Sequence, residues 1–116
     1  MAVTISGDVT TTLANLYINT LQTISTAGTT LIASNKGHLV LTTGTITVPA
    51  SVFVAGDVVS LYNDSASSIS IVQGASLTLR QAGTVNTGNR TLLARGLATL
   101  VFITATEAVV SGPGVS

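Results

Sequence analysis

From residue 37 onward, short apolar runs alternate with clusters of Gly, Asn, Asp and Ser. Within several runs, such as residues 45–48 and 68–72, apolar and hydroxyl side chains alternate one by one. This period of two is typical of a β-strand with one buried and one exposed face, and the polar clusters mark the turns between strands. We therefore predict that residues 37–116 form a mainly β domain, either a small antiparallel β-sandwich, a jelly-roll-like domain or a small barrel. The predicted strands lie at residues 38–41, 45–48, 52–54, 57–62, 68–72, 77–80, 97–106 and 108–110.

The first 36 residues show a different pattern, and we interpret them as an N-terminal arm. Apolar positions recur there at i, i+3, i+4, i+8 and i+11, the spacing of one face of an α-helix. Residues 8–12 offer capping side chains, which favours a short helix at residues 12–22, whereas the high Thr content favours a strand or an extended arm. The apolar stripe needs a partner, either its own domain or another subunit. Its members are Leu13, Leu16, Tyr17, Leu21 and Ile24.

Charged residues are unusually scarce in this chain. They make up 7% of its 116 residues, and the formal net charge is zero, whereas soluble domains carry about 25% charged residues. Copies of such a chain do not repel one another, and a free monomer is expected to be poorly soluble. We therefore expect much of the surface to be covered by protein in an assembly. The alternative is that abundant Thr and Ser hydroxyls hydrate the surface without charge.

Composition also argues against several classes of function. Four basic residues without a cluster do not provide a footprint for nucleic-acid phosphates. The absence of Cys rules out disulfides and thiol chemistry. Polar residues interrupt the longest uncharged stretch, residues 9–35, too often for a transmembrane helix, so we expect no membrane partner.

Candidate catalytic residues are few and scattered along the sequence. His38 is the only histidine and stands at the predicted start of a strand, where a turn or surface role is more common than that of a base. Asp57 and Asp64 could supply two carboxylates, but both follow typical turn residues. We expect no enzyme, no cofactor and no metal site.

Three of the four basic residues fall within sixteen positions of one another, and they are the strongest polar candidates for a function. Arginine forms bidentate pairs well at protein interfaces, which suggests hydrogen bonding between subunits. The alternative is that these are ordinary solvated side chains that close loops. The candidates are Arg80, Arg90 and Arg95, with Glu107 as the nearest acceptor in sequence.

The C-terminal part of the chain resembles a β module of tailed-bacteriophage virion proteins, which occurs in capsid decoration (cement) proteins and in tail or fibre proteins. The resemblance covers residues 37–114, and one departure is Glu107-Ala108, where an aromatic residue is expected. It is carried by ITVP (46–49), GDVVSLYN (56–63), GASLTLR (74–80), AGT (82–84), TGNRTL (87–92), RGLATL (95–100) and VSGPG (110–114).

The resemblance implies a non-enzymatic virion protein that forms a homotrimer. Together with the small size and the apolar arm, it favours a capsid decoration protein that binds the major capsid protein and stabilises the head shell. The alternative is a tail or tail-fibre subunit with possible host-glycan contact. In either case we expect synthesis in the host cytoplasm and a final location on the surface of the phage particle.

Overall fold

The computed structural model describes residues 23–116, which fold into ten β-strands and one short 3-10 helix, Ala33–Asn35. The strands are β1 (Thr23–Thr26), β2 (Thr29–Thr30), β3 (Leu39–Thr42), β4 (Ile46–Val48), β5 (Val58–Asn63), β6 (Ile69–Gln73), β7 (Thr78–Gln81), β8 (Arg90–Leu92), β9 (Leu97–Thr104) and β10 (Glu107–Ser111). Six strands form sheet A in the order β1-β3-β5-β9-β10-β7, and four form sheet B in the order β2-β4-β6-β8.

Strands β1 to β6 wind between the two sheets as a coil. Odd-numbered strands enter sheet A and even-numbered strands enter sheet B, so that each strand lies beside the one two positions earlier in the chain. The pairs β1–β3, β3–β5, β2–β4 and β4–β6 are all parallel. Parallel neighbours need a crossover connection, and here a strand of the opposite sheet provides it.

The mainly β fold predicted from the sequence is confirmed, but the sheets are mixed rather than antiparallel. Five of the eight strand pairings are parallel, and only β5–β9, β9–β10 and β6–β8 are antiparallel. Alternation specifies which side of a strand is buried, but it carries no information about which strand lies next to it. The antiparallel prediction assumed hairpins between consecutive strands, whereas most connections cross to the other sheet.

One hydrophobic core lies between the two sheets. Its largest members are Phe53, from the loop before β5, and Phe102 of β9, whose rings stack with centroids 4.5 Å apart. Burying each such side chain contributes about 2–3 kcal/mol to folding. The remaining core side chains are Leu31, Val40, Ile46, Val48, Val59, Leu61, Ile69, Ile71, Leu77, Leu79, Leu92, Ala98, Leu100, Ala108 and Val110.

Successive turns of the coil stack closely at glycine positions. A Cβ at Gly44 would clash with the carbonyl oxygen of Ala27, one turn earlier in the coil. Gly28 has a φ of +123°, and a Cβ there would lie 2.9 Å from the carbonyl oxygen of Thr45. Only glycine fits both the backbone conformation and the close approach, which explains why these corners carry no side chain.

Residues 23–36, which the sequence analysis assigned to the arm, take part in both sheets. Strand β1 pairs with β3 and strand β2 pairs with β4. Leu31 is fully buried, and the side chain of buried Asn35 accepts a hydrogen bond from the Ile32 N–H at 2.8 Å. Residues 23–36 are therefore part of the two sheets. The predicted helix at residues 12–22 lies outside the described residues.

Candidate interaction surface

The outer surface of sheet A is mainly apolar on three adjacent strands, β3, β5 and β9. Along β9, inward Ala98, Leu100 and Phe102 are buried, so the side chains between them point outward. The same alternation sets the outward positions of β3, β5 and β10. We call this surface the apolar face, and it comprises Leu39, Leu41, Val58, Tyr62, Leu97, Val101, Ile103 and Val109.

Strand register places six of these eight side chains in two apolar rows. Leu41, Tyr62 and Leu97 lie side by side across β3, β5 and β9. Residues Val58, Val101 and Val109 form the second row, across β5, β9 and β10. A row of mainly hydroxyl side chains runs between them, so the face combines apolar contact area with small groups that can hydrogen-bond. The row between them is Leu39, Ser60, Thr99 and Ser111.

The apolar face is still accessible to solvent within the described part of the chain. Leu97 is 48% exposed, Ile103 49% and Val58 38%, while the other members are half-buried by neighbouring side chains. Strands β1, β3, β5 and β9 contain no charged residue. Exposed apolar side chains that are grouped on one uncharged face are typical of protein interaction sites.

The outer surface of sheet B has a different chemistry, although it is also a pleated β surface. Its outward positions are mostly hydroxyl side chains, which remain well hydrated, and its one large apolar member is Val72, half-buried. We call it the hydroxyl face, and it comprises Thr30, Thr47, Ser70, Val72 and Thr91.

Two ion pairs lie at the rim of the apolar face. Arg80 on edge strand β7 approaches Glu107 of β10, with Nε 3.6 Å from Oε2. Arg95, in the loop before β9, donates from Nη1 to Asp64 Oδ1 at 2.7 Å. All four side chains are at least about one third exposed, so water screens both pairs. An apolar centre with a polar rim is the usual arrangement of a protein interface.

Asn63, the last residue of β5, fixes the loop that carries Arg95. Its side chain is fully buried, and Nδ2 lies 2.7 Å from the Ser67 carbonyl oxygen, 3.2 Å from that of Leu92 and 3.0 Å from that of Leu93. These contacts join the end of sheet A to the end of sheet B. Arg95 itself has a φ of 59°, an uncommon conformation for a residue with a side chain.

The three arginines that the sequence suggested have different interaction partners in the structure. Arg80 pairs with Glu107, the acceptor suggested by the sequence, but within one chain. Arg90 of β8 donates to Gln81 Oε1 at 3.0 Å and to the Asn89 carbonyl oxygen at 2.8 Å. A role between subunits for the three arginines stays a prediction. The predicted arm residues Leu13, Leu16, Tyr17 and Leu21 lie outside the described residues.

Sequence reasoning missed the apolar face, although a signal for it was present. In residues 39–41 and 97–103, large aliphatic residues occupy both the inward and the outward positions of the strand. Strands that are apolar on both sides are expected where both faces become covered. Alternation identifies the buried side of a strand, whereas the apolar face is recognised only from the outward positions.

The candidate acid and base residues are not assembled into one site. Asp57 and Asp64 flank the two ends of β5, so the length of a strand separates them. The Asp57 carboxylate accepts a hydrogen bond from the Val54 N–H at 3.0 Å, as a turn residue does. His38 Nδ1 is shielded from solvent and has no hydrogen-bond partner among residues 23–116. Within that range, no group of three or more His, Asp or Glu side chains is placed to hold a metal ion.

Comparisons with protein-family models, with curated proteins and with solved structures found no match to this chain. Across residues 23–116, no helix has the length and apolar character needed to span a membrane.

Proposed function

We propose that this chain is a structural subunit of a tailed-bacteriophage virion, and that its copies associate through the apolar face. The leading form of the proposal is a capsid decoration protein that binds the major capsid protein as a homotrimer and stabilises the head shell. The observation that carries it is the apolar face, an uncharged and largely aliphatic surface across at least three adjacent strands. The identity of the particle is supported by the resemblance of residues 37–114 to phage virion modules.

The apolar face is large enough to form the centre of an interface between copies. Its four strands, spaced about 4.8 Å apart, span roughly 14 Å, and their mean length of about six residues gives about 19 Å. The resulting area of about 300 Å² is more than a third of the roughly 800 Å² that each partner buries in a standard interface, so side chains around the face supply the remainder. Because neither copy brings a charge to the centre of the face, association leaves no charged group buried there.

A glutamate at the centre of the face tests this proposal. Val101→Glu would bury a carboxylate against the aliphatic side chains of its neighbours, which costs several kcal/mol, so we expect association to weaken at least about 100-fold. Light scattering coupled to size exclusion should show a trimer for the native chain and a monomer for the variant. Thr47→Glu, at a half-buried strand position of the hydroxyl face, is the matched control and should remain a trimer. Native chains that run as monomers at every concentration would refute self-association.

Copy number distinguishes the decoration protein from a tail or tail-fibre subunit. A protein that covers the head shell is present in hundreds of copies per particle, whereas a tail component is present in a handful. Quantitative mass spectrometry of purified particles measures this directly. Host-glycan binding, the further possibility for a tail protein, normally uses exposed aromatic rings. Both phenylalanines are buried, and Tyr62 is the one aromatic side chain of the described residues on the outer surface of sheet A.

A further inference from the structure

Arg90 stands at an inward position of sheet B, at the edge where β7 and β8 end the two sheets. It precedes buried Leu92 by two residues and pairs with Ile71, which is fully buried, so its side chain starts on the inner side of the sheet. Gln81 of β7 follows buried Leu79 by two residues and starts on the inner side of sheet A. The 3.0 Å hydrogen bond from Arg90 Nη1 to Gln81 Oε1 therefore joins the two sheets.

Arg90 differs from the other two arginines in its lack of an acidic partner. Arg80 and Arg95 form ion pairs of 3.6 and 2.7 Å, whereas no carboxylate in the described part of the chain forms one with Arg90. Its two acceptors, the Gln81 amide oxygen and the Asn89 carbonyl oxygen, are neutral. Because a guanidinium keeps its charge throughout the physiological pH range, this half-buried side chain carries a positive charge that its neighbours do not balance.

The amide side chains beside Arg90 have oxygens that already accept hydrogen bonds from the chain. Gln81 Oε1 accepts from the guanidinium, and Asn89 Oδ1 accepts from the Gln73 N–H at 2.8 Å. Gln73 Oε1 in turn accepts from the Leu79 N–H at 2.8 Å. The guanidinium uses two of its five N–H groups in these contacts, and each amide has two N–H groups of its own. We call the side chains of Gln73, Gln81, Asn89 and Arg90 the donor cluster, because N–H groups and one positive charge are what they offer to a ligand.

We propose that the donor cluster binds the carboxylate of an acidic side chain on a partner protein. A carboxylate brings the single negative charge that balances one guanidinium, and its two oxygens fit the paired N–H groups of the guanidinium fork. A phosphate group would bring up to two negative charges, of which one guanidinium balances only part. The cluster can be reached from solvent, since Asn89 is exposed and the other three side chains are half-buried.

The small number of contacts favours a protein over a free small acid as the source of the carboxylate. One bidentate contact holds a free acid only at concentrations above about 1 mM. An acidic side chain on a protein that touches other parts of this chain adds the same contact to those already made. The donor cluster belongs to β6, β7, β8 and the residue before β8, whereas the apolar face lies on β3, β5, β9 and β10, so the proposal does not depend on self-association.

Acetate is the simplest probe of the donor cluster, and NMR of the full chain can follow it at all three arginine side chains. When acetate replaces chloride at constant ionic strength, the Nε–H signal of Arg90 should shift and saturate. Arg80 and Arg95 should need at least about tenfold more acetate, since carboxylates already contact them. Equal responses from the three arginines would overturn the proposal. So would saturation of Arg90 below about 1 mM acetate, which would indicate a free small acid, or saturation by phosphate at a lower concentration than by acetate.

Gln81→Glu tests the same contact by supplying a carboxylate from within the chain. It should abolish the acetate response of Arg90 and raise the thermal midpoint of unfolding by about 2–6 °C, because the guanidinium gains a charged partner. Thr47→Glu, which adds the same charge to β4 of sheet B, is the control and should leave the acetate response unchanged. A folded Gln81→Glu chain that still responds to acetate like the native chain would contradict the proposal.

A binding measurement tests whether the contact serves attachment to a head shell, and this step rests on the proposed function. Gln81→Glu should bind purified phage heads that lack this protein at least about tenfold more weakly than the native chain does, while it forms the same oligomer in solution. Equal binding by the two chains would overturn the carboxylate contact. Failure of the native chain to bind heads would instead refute the proposed location, and the acetate response would still identify the site.

Discussion

The two outer faces of this domain share one backbone geometry and differ in chemistry. Both are pleated surfaces made of branched side chains, which suit β-strands. On sheet A the outward branched residues are mainly valine, leucine and isoleucine, whereas on sheet B they are mainly threonine. Valine and threonine have nearly the same shape, so the two faces differ mainly in how strongly water hydrates them.

This difference shows that strand formation and association have separate requirements. A threonine face satisfies the β-propensity of its strands and stays hydrated. An aliphatic face of the same shape gains about 25 cal/mol for each Å² that it removes from water. The scarcity of charge along the whole chain suggests association without identifying a surface. The contrast between the two faces is the reason that we propose sheet A.

The largest effect is expected when the stability of a variant in the interior of sheet A is compared with that of a variant on the apolar face. Phe102 and Val101 are neighbours on β9 that point to opposite sides. Phe102→Ala removes the ring stacked on Phe53 and should lower the free energy of unfolding by about 3–5 kcal/mol. Val101→Ala should lower it by less than about 1 kcal/mol when the chain is measured as a monomer. Urea unfolding at low protein concentration measures both values.

When the affinity of association is measured for folded chains alone, the same two variants should rank in the opposite order. Val101→Ala should weaken association of folded chains, and Phe102→Ala should affect association only by reducing the folded fraction. Equal losses of stability in the two monomers would mean that Val101 belongs to the core. Val101 could then not be assigned to the outer face of sheet A.

Most strand positions could be predicted from the sequence, because alternation and turn residues are local signals. The strands at 45–48, 57–62 and 97–106 were each found within one or two residues of the observed bounds. The predicted strand at 52–54 is wrong, because Phe53 anchors a loop in the core. In that loop Ser51 has a φ of 63° and Asp57 accepts from the Val54 N–H. The pairing of strands was not predictable, since it depends on contacts between residues far apart in sequence.

The candidate surface was less predictable than the fold. Scarce charge suggested association, but the residues chosen as candidates were the most polar ones, the arginines and Glu107. The structure places Arg80, Arg95 and Glu107 in ion pairs at the rim, where side chains contribute little. The larger apolar area comes from residues such as Leu97 and Val101, which look like core residues until both sides of a strand are considered.

A smaller effect is expected when one valine on each face is replaced by threonine. Val101→Thr keeps the side-chain shape and adds a hydroxyl that would be buried by association, at a cost of about 1–3 kcal/mol, so affinity should fall about 5- to 150-fold. Val72→Thr makes the same change on the hydroxyl face, where the side chain stays hydrated, and should leave affinity unchanged. Sedimentation equilibrium of both variants measures the comparison. A loss of affinity in the Val72 variant would show that sheet B also takes part in association.

The smallest effect is expected from the charges at the rim of the apolar face. Arg80→Gln removes the pair with Glu107, whose atoms are 3.6 Å apart and whose side chains are 37% and 35% exposed, and exposed pairs contribute at most about 1 kcal/mol. Affinity should therefore change less than about fivefold. Raising the salt concentration from about 0.05 M to about 0.5 M should not weaken association, because screening acts on charges and the centre of the face has none. Dissociation at high salt would instead place Arg80 or Arg95 in ion pairs between subunits and return the interface to the arginines that the sequence suggested.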